Sequence, residues 1–205
     1  MLAAGSGTRF GGPKQFERLG DRRLVDWPVA TAAGVSDGVV VVLPPDHRWT
    51  GADVDAAVTG GATHGDSVRA GLTAVPDSAA VVLVATAVHP LASVELYRAV
   101  TAAVVDGADA ATPVVSSPDA IKRVADDGTV TGSVDKTDLR IVQAPSAFRA
   151  TVLRQVLAQG PPAPEELELI ERTGGTVVTV PGEVTNIHVA TPDDLALAHR
   201  LLPQY

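Results

Sequence analysis

The chain has 205 residues, 45% of them hydrophobic, with 24 acidic against 16 basic side chains and a net charge of −8. That length and apolar content suit one buried core, and the diffuse negative charge, with no basic run or aromatic interleaving, argues against a nucleic-acid surface while leaving small anionic ligands open. The lack of cysteine excludes disulfides and thiolate chemistry, no leader or apolar run near the roughly 18 residues of a membrane span is visible, and a cytoplasmic protein without membrane contact is expected.

The first element is a glycine-rich loop, MLAAGSGTRFGGPKQF, with only Met1 and Leu2 ahead of it where a whole strand is expected. Helical patterns follow at 24–33, 66–74, 93–105, 150–157, 165–172 and 193–202. They alternate with Val-rich runs at 38–45, 79–88, 108–115 and 176–182. Continuous apolarity in these runs reads as strands covered on both faces, hence a doubly wound α/β sandwich with a mostly parallel sheet over a single domain, residues 1–205. Such sheets bind ligands at the carboxyl ends of their strands. One stretch breaks the rhythm. AIKRVADDGTVTGSVDK alternates apolar and polar residues on both sides of Asp127-Gly128, which predicts a two-residue hairpin projecting as a β-arm within residues 116–146. Two readings of that arm stand: an ordinary edge hairpin, or a dimerisation element that reaches a partner's active site. The segment QGPPAPEE at 159–166 reads as a loop ending in a helix start at Pro164.

Glycines at 5, 7, 11 and 12 let the backbone approach a ligand and turn successive N–H groups toward an anion, and Arg9 and Lys14 add two cations where a polyphosphate would sit. A P-loop needs Lys-Ser/Thr directly after its last glycine, but Pro13 follows Gly12. A dinucleotide loop would put its third glycine in a different register and has no use for two cations. The class left is a nucleotidyltransferase loop. Its chemistry needs positive groups around the α-phosphate, to stabilise the five-coordinate transition state and to neutralise departing pyrophosphate. A glycine-rich turn carrying two solvated cations is the alternative.

Five blocks run in order along nearly the whole chain: AAGSGTRFGGPKQF, GGATHGDSVRAGL, DAIKRV, VDKTDLRIVQAPSAFR and NIHVATPDDLALA. They resemble the 2-C-methyl-D-erythritol 4-phosphate cytidylyltransferases, with ribitol-phosphate cytidylyltransferases related. The resemblance implies a Rossmann-like sheet of the nucleotide-diphospho-sugar transferase type and a homodimer built on the hairpin arm. It also implies a Mg²⁺-dependent reaction in which CTP and a polyol phosphate give a CDP-polyol and pyrophosphate. Arg9 and Lys14 match the family's transition-state stabilisers. Ala3, Ala4, Gly5, Gly61 and Ser67 match the segments that hold the cytosine, with Ser6, Gly7 and the strand-end Thr86 completing the expected nucleotide site. Asp119, Lys136, Ala144 and His188 fall at substrate-positioning places.

The sequence departs from the family in places. Where the family reads H-D-A-A-R-P, the chain has ATAVHP, so that Thr86 stands for an aspartate and His89 for an arginine. A neutral hydroxyl cannot supply the charge that Mg²⁺ prefers, and the metal site is left unassigned. His64 stands for an arginine and, with an ordinary pKa, would be mostly neutral at pH 7. Ala120 and Ala144 replace hydroxyl residues, Pro164 and Glu165 stand for Thr and Asp, Lys136 for an arginine and His188 for a lysine. A degenerate, non-catalytic dimer that binds a nucleotide or a partner is therefore the alternative function. His47, His64, His89, His188 and His199 lack metal-ligand spacing, and Asp193-Asp194 reads as a helix first turn.

Overall fold

The computed structural model describes residues 1–8, 10–159 and 165–202. After a short 3₁₀ turn at Lys14–Phe16 come β1 (Arg18–Leu19) and β2 (Arg22–Arg23), then α1 (Asp26–Ala33), β3 (Val40–Leu43), β4 (Ala56–Thr59) and α2 (His64–Leu72). The middle of the chain holds β5 (Val81–Val84), α3 (Val94–Val105), β6 (Ala110–Val115), β7 (Lys122–Val124), β8 (Val130–Ser133), β9 (Ile141–Val142) and β10 (Ser146–Arg149). It ends on α4 (Ala150–Gln159), α5 (Glu166–Arg172), β11 (Val177–Pro181) and α6 (Pro192–Leu201). Pro164 and the loop before it lie outside the described residues, as does Arg9.

Residues 1–3 supply the central pairing that the sequence left short. Leu2 bridges in parallel to both Val42 and Thr86. Its N–H donates to Ala85 O at 2.7 Å, and the Ala3 N–H donates to Val42 O at 2.8 Å. The sheet therefore runs β4, β3, residues 1–3, β5, β10, β6, β11. The pairs β3–β4 and β6–β11 are parallel, while β10 lies antiparallel to both β5 and β6. The sheet is mostly parallel, as expected, with antiparallel β10 inserted and the short β9 paired antiparallel to β6. Strand β10, SAFR, and β4, AAVT, are four residues each, too short for their periodicity to stand out.

The two faces are covered separately. Val25, Val29, Val41, Leu96 and Tyr97 join α1 and α3 to one face, while Val68, Phe148, Leu153 and Ile170 join α2, α4 and α5 to the other. Full burial of side chains this size stabilises by about 1.5–3 kcal/mol each. Helix starts follow their caps. Thr63 and Asp66 form a capping box for α2, and Thr191 and Asp194 form one for α6, with Pro192 in the first turn. Asp194 Oδ2 accepts from Ala190 N at 2.9 Å and Thr191 N at 2.8 Å, so this carboxylate serves the helix start.

The arm forms, but its turn differs from the two-residue expectation. Ala125 N donates to Thr129 O and Gly128 N to Ala125 O, both at 2.9 Å, so Asp126, Asp127 and Gly128 make a three-residue turn. Gly128 takes the positive φ, 85°, that this connection requires.

Candidate functional site

The opening loop folds back on one carbonyl. Gly7 O accepts from Phe10 N at 2.9 Å, Gly11 N at 3.0 Å and Gly12 N at 3.2 Å. A Cβ at Gly7, whose φ is +67°, would lie 1.7 Å from Gly12 O, so only glycine permits this closure. Gln15, buried, holds the loop from beneath: its Nε2 donates to Ala3 O at 2.8 Å and Gly5 O at 3.0 Å. Gly5 and Ser6 are left on the exposed rim, and Lys14 is buried at the loop's end. The N–H groups of Gly11 and Gly12 are thus spent on Gly7 O and do not turn toward an anion as expected, because closing the loop on one carbonyl consumes them.

The expected base-binding residues converge beside that loop. A Cβ on Gly60 would stand 2.5 Å from the Ala4 Cβ and 2.8 Å from Ser67 Oγ, and one on Gly61 would stand 2.2 Å from the Asp66 Cβ. The double glycine is what lets these segments touch. Ser67 Oγ accepts from Gly61 N at 3.2 Å. Ala4, Gly61 and Ser67, far apart in sequence, form one wall.

Thr86 lies just past the end of β5, bridged to Leu2 ahead of the loop. Its Oγ1 lies 2.9 Å from His89 Nδ1, and the His89 ring meets the His188 ring edge to face at 5.0 Å. Burial, reinforced by the charges of His188 and Lys14, pushes the His89 pKa down to about 4. The two histidines are fixed in register by Val189 N, which donates to Val88 O at 2.9 Å. Lys14, Thr86, His89 and His188 therefore belong to one cluster at the carboxyl end of the central strands.

His64 departs from the sequence expectation of a mostly neutral ring. Its Nε2 lies 3.1 Å from Oε2 of the buried Glu166, and that hydrogen bond raises the His64 pKa against the opposing effect of burial. The pair ties the first turn of α2, next to the Gly61 wall, to the first turn of α5.

The substrate-positioning residues divide into two groups. Ala144 is buried, and its carbonyl accepts from Asn186 Nδ2 at 2.8 Å, which brings it to the segment carrying His188. Lys136 lies at the base of the arm, where Nζ donates to Ser117 O and Pro118 O at 2.8 Å and to Asp119 O at 3.1 Å. Within one chain, that ammonium organises the 117–119 loop that carries the exposed Asp119.

Sequence reasoning missed the polar scaffold behind these groups. Gln143 Nε2 donates to Glu183 O at 2.8 Å and Asn186 O at 2.9 Å, and its Oε1 accepts from Glu183 N at 3.0 Å. A lone buried glutamine in an apolar stretch was the available signal. For Mg²⁺, the donors present do not fit a protein-built site. The Thr86 oxygen is neutral and engaged with His89, and the described residues hold no group of three His, Cys, Asp or Glu side chains able to hold a metal ion.

The chain is similar to known proteins over nearly its whole length. The family model for 2-C-methyl-D-erythritol 4-phosphate cytidylyltransferase matches residues 1–204. A cytidylyltransferase of that name from Frankia casuarinae is 39% identical over 98% of this chain and 79% of its own length. One from Nocardia farcinica is 38% identical over 98% of this chain and 91% of its own. The crystal structure of the Thermus thermophilus enzyme of that name superposes with a TM-score of 0.84 at 32% identity, covering 98% of this chain and 96% of that one.

Proposed function

The chain belongs to the 2-C-methyl-D-erythritol 4-phosphate cytidylyltransferase family, and from that premise we propose that it joins CTP to 2-C-methyl-D-erythritol 4-phosphate, within isoprenoid precursor synthesis. An acceptor phosphate oxygen attacks the α-phosphorus of CTP in line. The new P–O bond forms as the bond to the β-phosphate oxygen breaks, and pyrophosphate leaves. Lys14, with Arg9, stabilises the charge that develops on the α-phosphate and its leaving group. The wall of Ala4, Gly61 and Ser67, with Ala3, Gly5, Ser6 and Gly7, receives the nucleotide, and Ala144, His188 and the arm residues Asp119 and Lys136 position the acceptor. Two chains pair through the arm, each folded as one domain, in the cytoplasm. Any magnesium the reaction takes would be carried by the triphosphate and would supply charge neutralisation there.

The observation that carries the proposal is the buried Lys14 at the end of a loop closed on Gly7 O, beside the glycine wall. Replacing Lys14 by methionine keeps the buried stem and removes the charge. The expected result is a fall in kcat of about 10²–10³ with the fold retained, measured by pyrophosphate release and circular dichroism. An unchanged kcat would remove Lys14 from the chemistry. The neutral Thr86 favours a second reading, a non-catalytic dimer that binds nucleotide. Pyrophosphate release with CTP and any acceptor from a panel of polyol phosphates would reject it.

A further inference from the structure

Thr86 and His89 occupy places where the family pattern quoted above has an aspartate and an arginine, and taken singly each is a loss of charge. In the fold they meet. The 2.9 Å contact between Thr86 Oγ1 and His89 Nδ1 is, among the described residues, the one hydrogen bond made by that hydroxyl and by either nitrogen of that ring. Ionised phosphate oxygens only accept hydrogen bonds, so a phosphate beside the ring requires a proton on the nitrogen facing it. A hydroxyl has one proton to give, and giving it to Nδ1 leaves the ring proton on Nε2.

We propose that Thr86 and His89 act as one neutral phosphate-positioning unit: the Thr86 hydroxyl donates to Nδ1, and the Nε2–H this fixes donates to a phosphate oxygen held beside Lys14. The proposal rests on the cytidylyltransferase reading for the identity of the phosphate chain, but its chemistry needs only a polyphosphate. Neutrality is built in. His89 is half-buried and faced by the Lys14 ammonium and the His188 ring, and those three influences hold its pKa down at about 4. A ring so placed gives directional donation without adding a further buried cation beside Lys14. Thr86 is then a positioning residue, acting through His89.

Two measurements test this. In ¹⁵N spectra of histidine-labelled, ligand-free protein, His89 is expected as a neutral ring with its proton on Nε2 from pH 5.5 to 8, and Thr86→Val is expected to shift the proton toward Nδ1. A dominant Nδ1–H form in the parent protein would overturn the unit. In calorimetric titrations with inorganic pyrophosphate, His89→Leu is expected to weaken binding about tenfold or more, the cost of one hydrogen bond to a charged group. His89→Gln, whose amide can still donate, is expected to retain most of the affinity and guards against misfolding of the leucine variant. Equal pyrophosphate affinity in parent and His89→Leu, or no pyrophosphate binding by the parent, would overturn the proposal. Turnover assays on the parent separate this outcome from the functional reading: transfer from CTP with an indifferent His89 sinks the unit alone, and lost pyrophosphate binding in His89→Leu without any transfer sinks the reading alone.

Discussion

His64 shows how one neighbour reverses the meaning of a residue. As an arginine replacement it looked uncharged at neutral pH, yet the buried Glu166 carboxylate 3.1 Å away raises its pKa. The sign follows from linkage. A group whose folded pKa lies above its unfolded value, about 6.5 for histidine, adds stability that is complete below that value and is lost as pH rises through the folded pKa. The parent is therefore expected to melt higher at pH 6 than at pH 8.5 relative to Glu166→Gln, with the gap between the two proteins closing at the higher pH. The ring is 42% exposed, so solvent keeps the effect modest. Thermal denaturation at both pH values checks it, and a gap independent of pH would contradict the pairing. This glutamate could not be read from the sequence as a partner, because 102 residues separate it from His64.

Among the elements, the opening loop and the arm make the sharpest demands. At Gly7 both the φ of +67° and the 1.7 Å approach of Gly12 O exclude a side chain. Gly7→Ala is expected to reopen the loop and weaken CTP binding at least about tenfold, with about 1 kcal/mol or more of lost stability from the left-handed backbone alone. Calorimetry and a urea titration would measure the two separately, and unchanged CTP affinity would show that the loop's closure is irrelevant to the ligand. The arm exposes Val124 by 58%, Val130 by 59% and Ile141 by 50%, apolar area that a second chain would cover. If two chains pair there, Val124→Asp with Val130→Asp gives a monomer in sedimentation velocity while leaving α/β structure by circular dichroism. An unchanged sedimentation coefficient would place the partner elsewhere, or nowhere.

Over the whole molecule, what could be read in advance was what periodicity and caps encode. The helices at 26–33, 94–105 and 166–172 and the apolar strands β3, β5, β6 and β11 fall inside the runs read from residue pattern. The inserted antiparallel β10 did not, because direction in a sheet is set by long-range pairing and leaves no trace in four residues. At the site, glycines and the buried lysine carried strong local signals. The scaffold of Gln143 and Asn186 exists only in three dimensions, since its partners lie 43 residues apart, whereas the Thr86–His89 contact is local, three residues apart, and was hidden because residue types alone do not state a side-chain hydrogen bond. With Thr86 and His89 in place of an aspartate and an arginine, the whole molecule is still expected to transfer a cytidylyl group. The most direct test is pyrophosphate release by the purified protein from CTP and 2-C-methyl-D-erythritol 4-phosphate, with other polyol phosphates and with ATP and UTP as controls. Release that depends on both CTP and that acceptor is the expected result. No release with any acceptor, from folded protein that binds CTP, would contradict it and leave a nucleotide-binding dimer in its place.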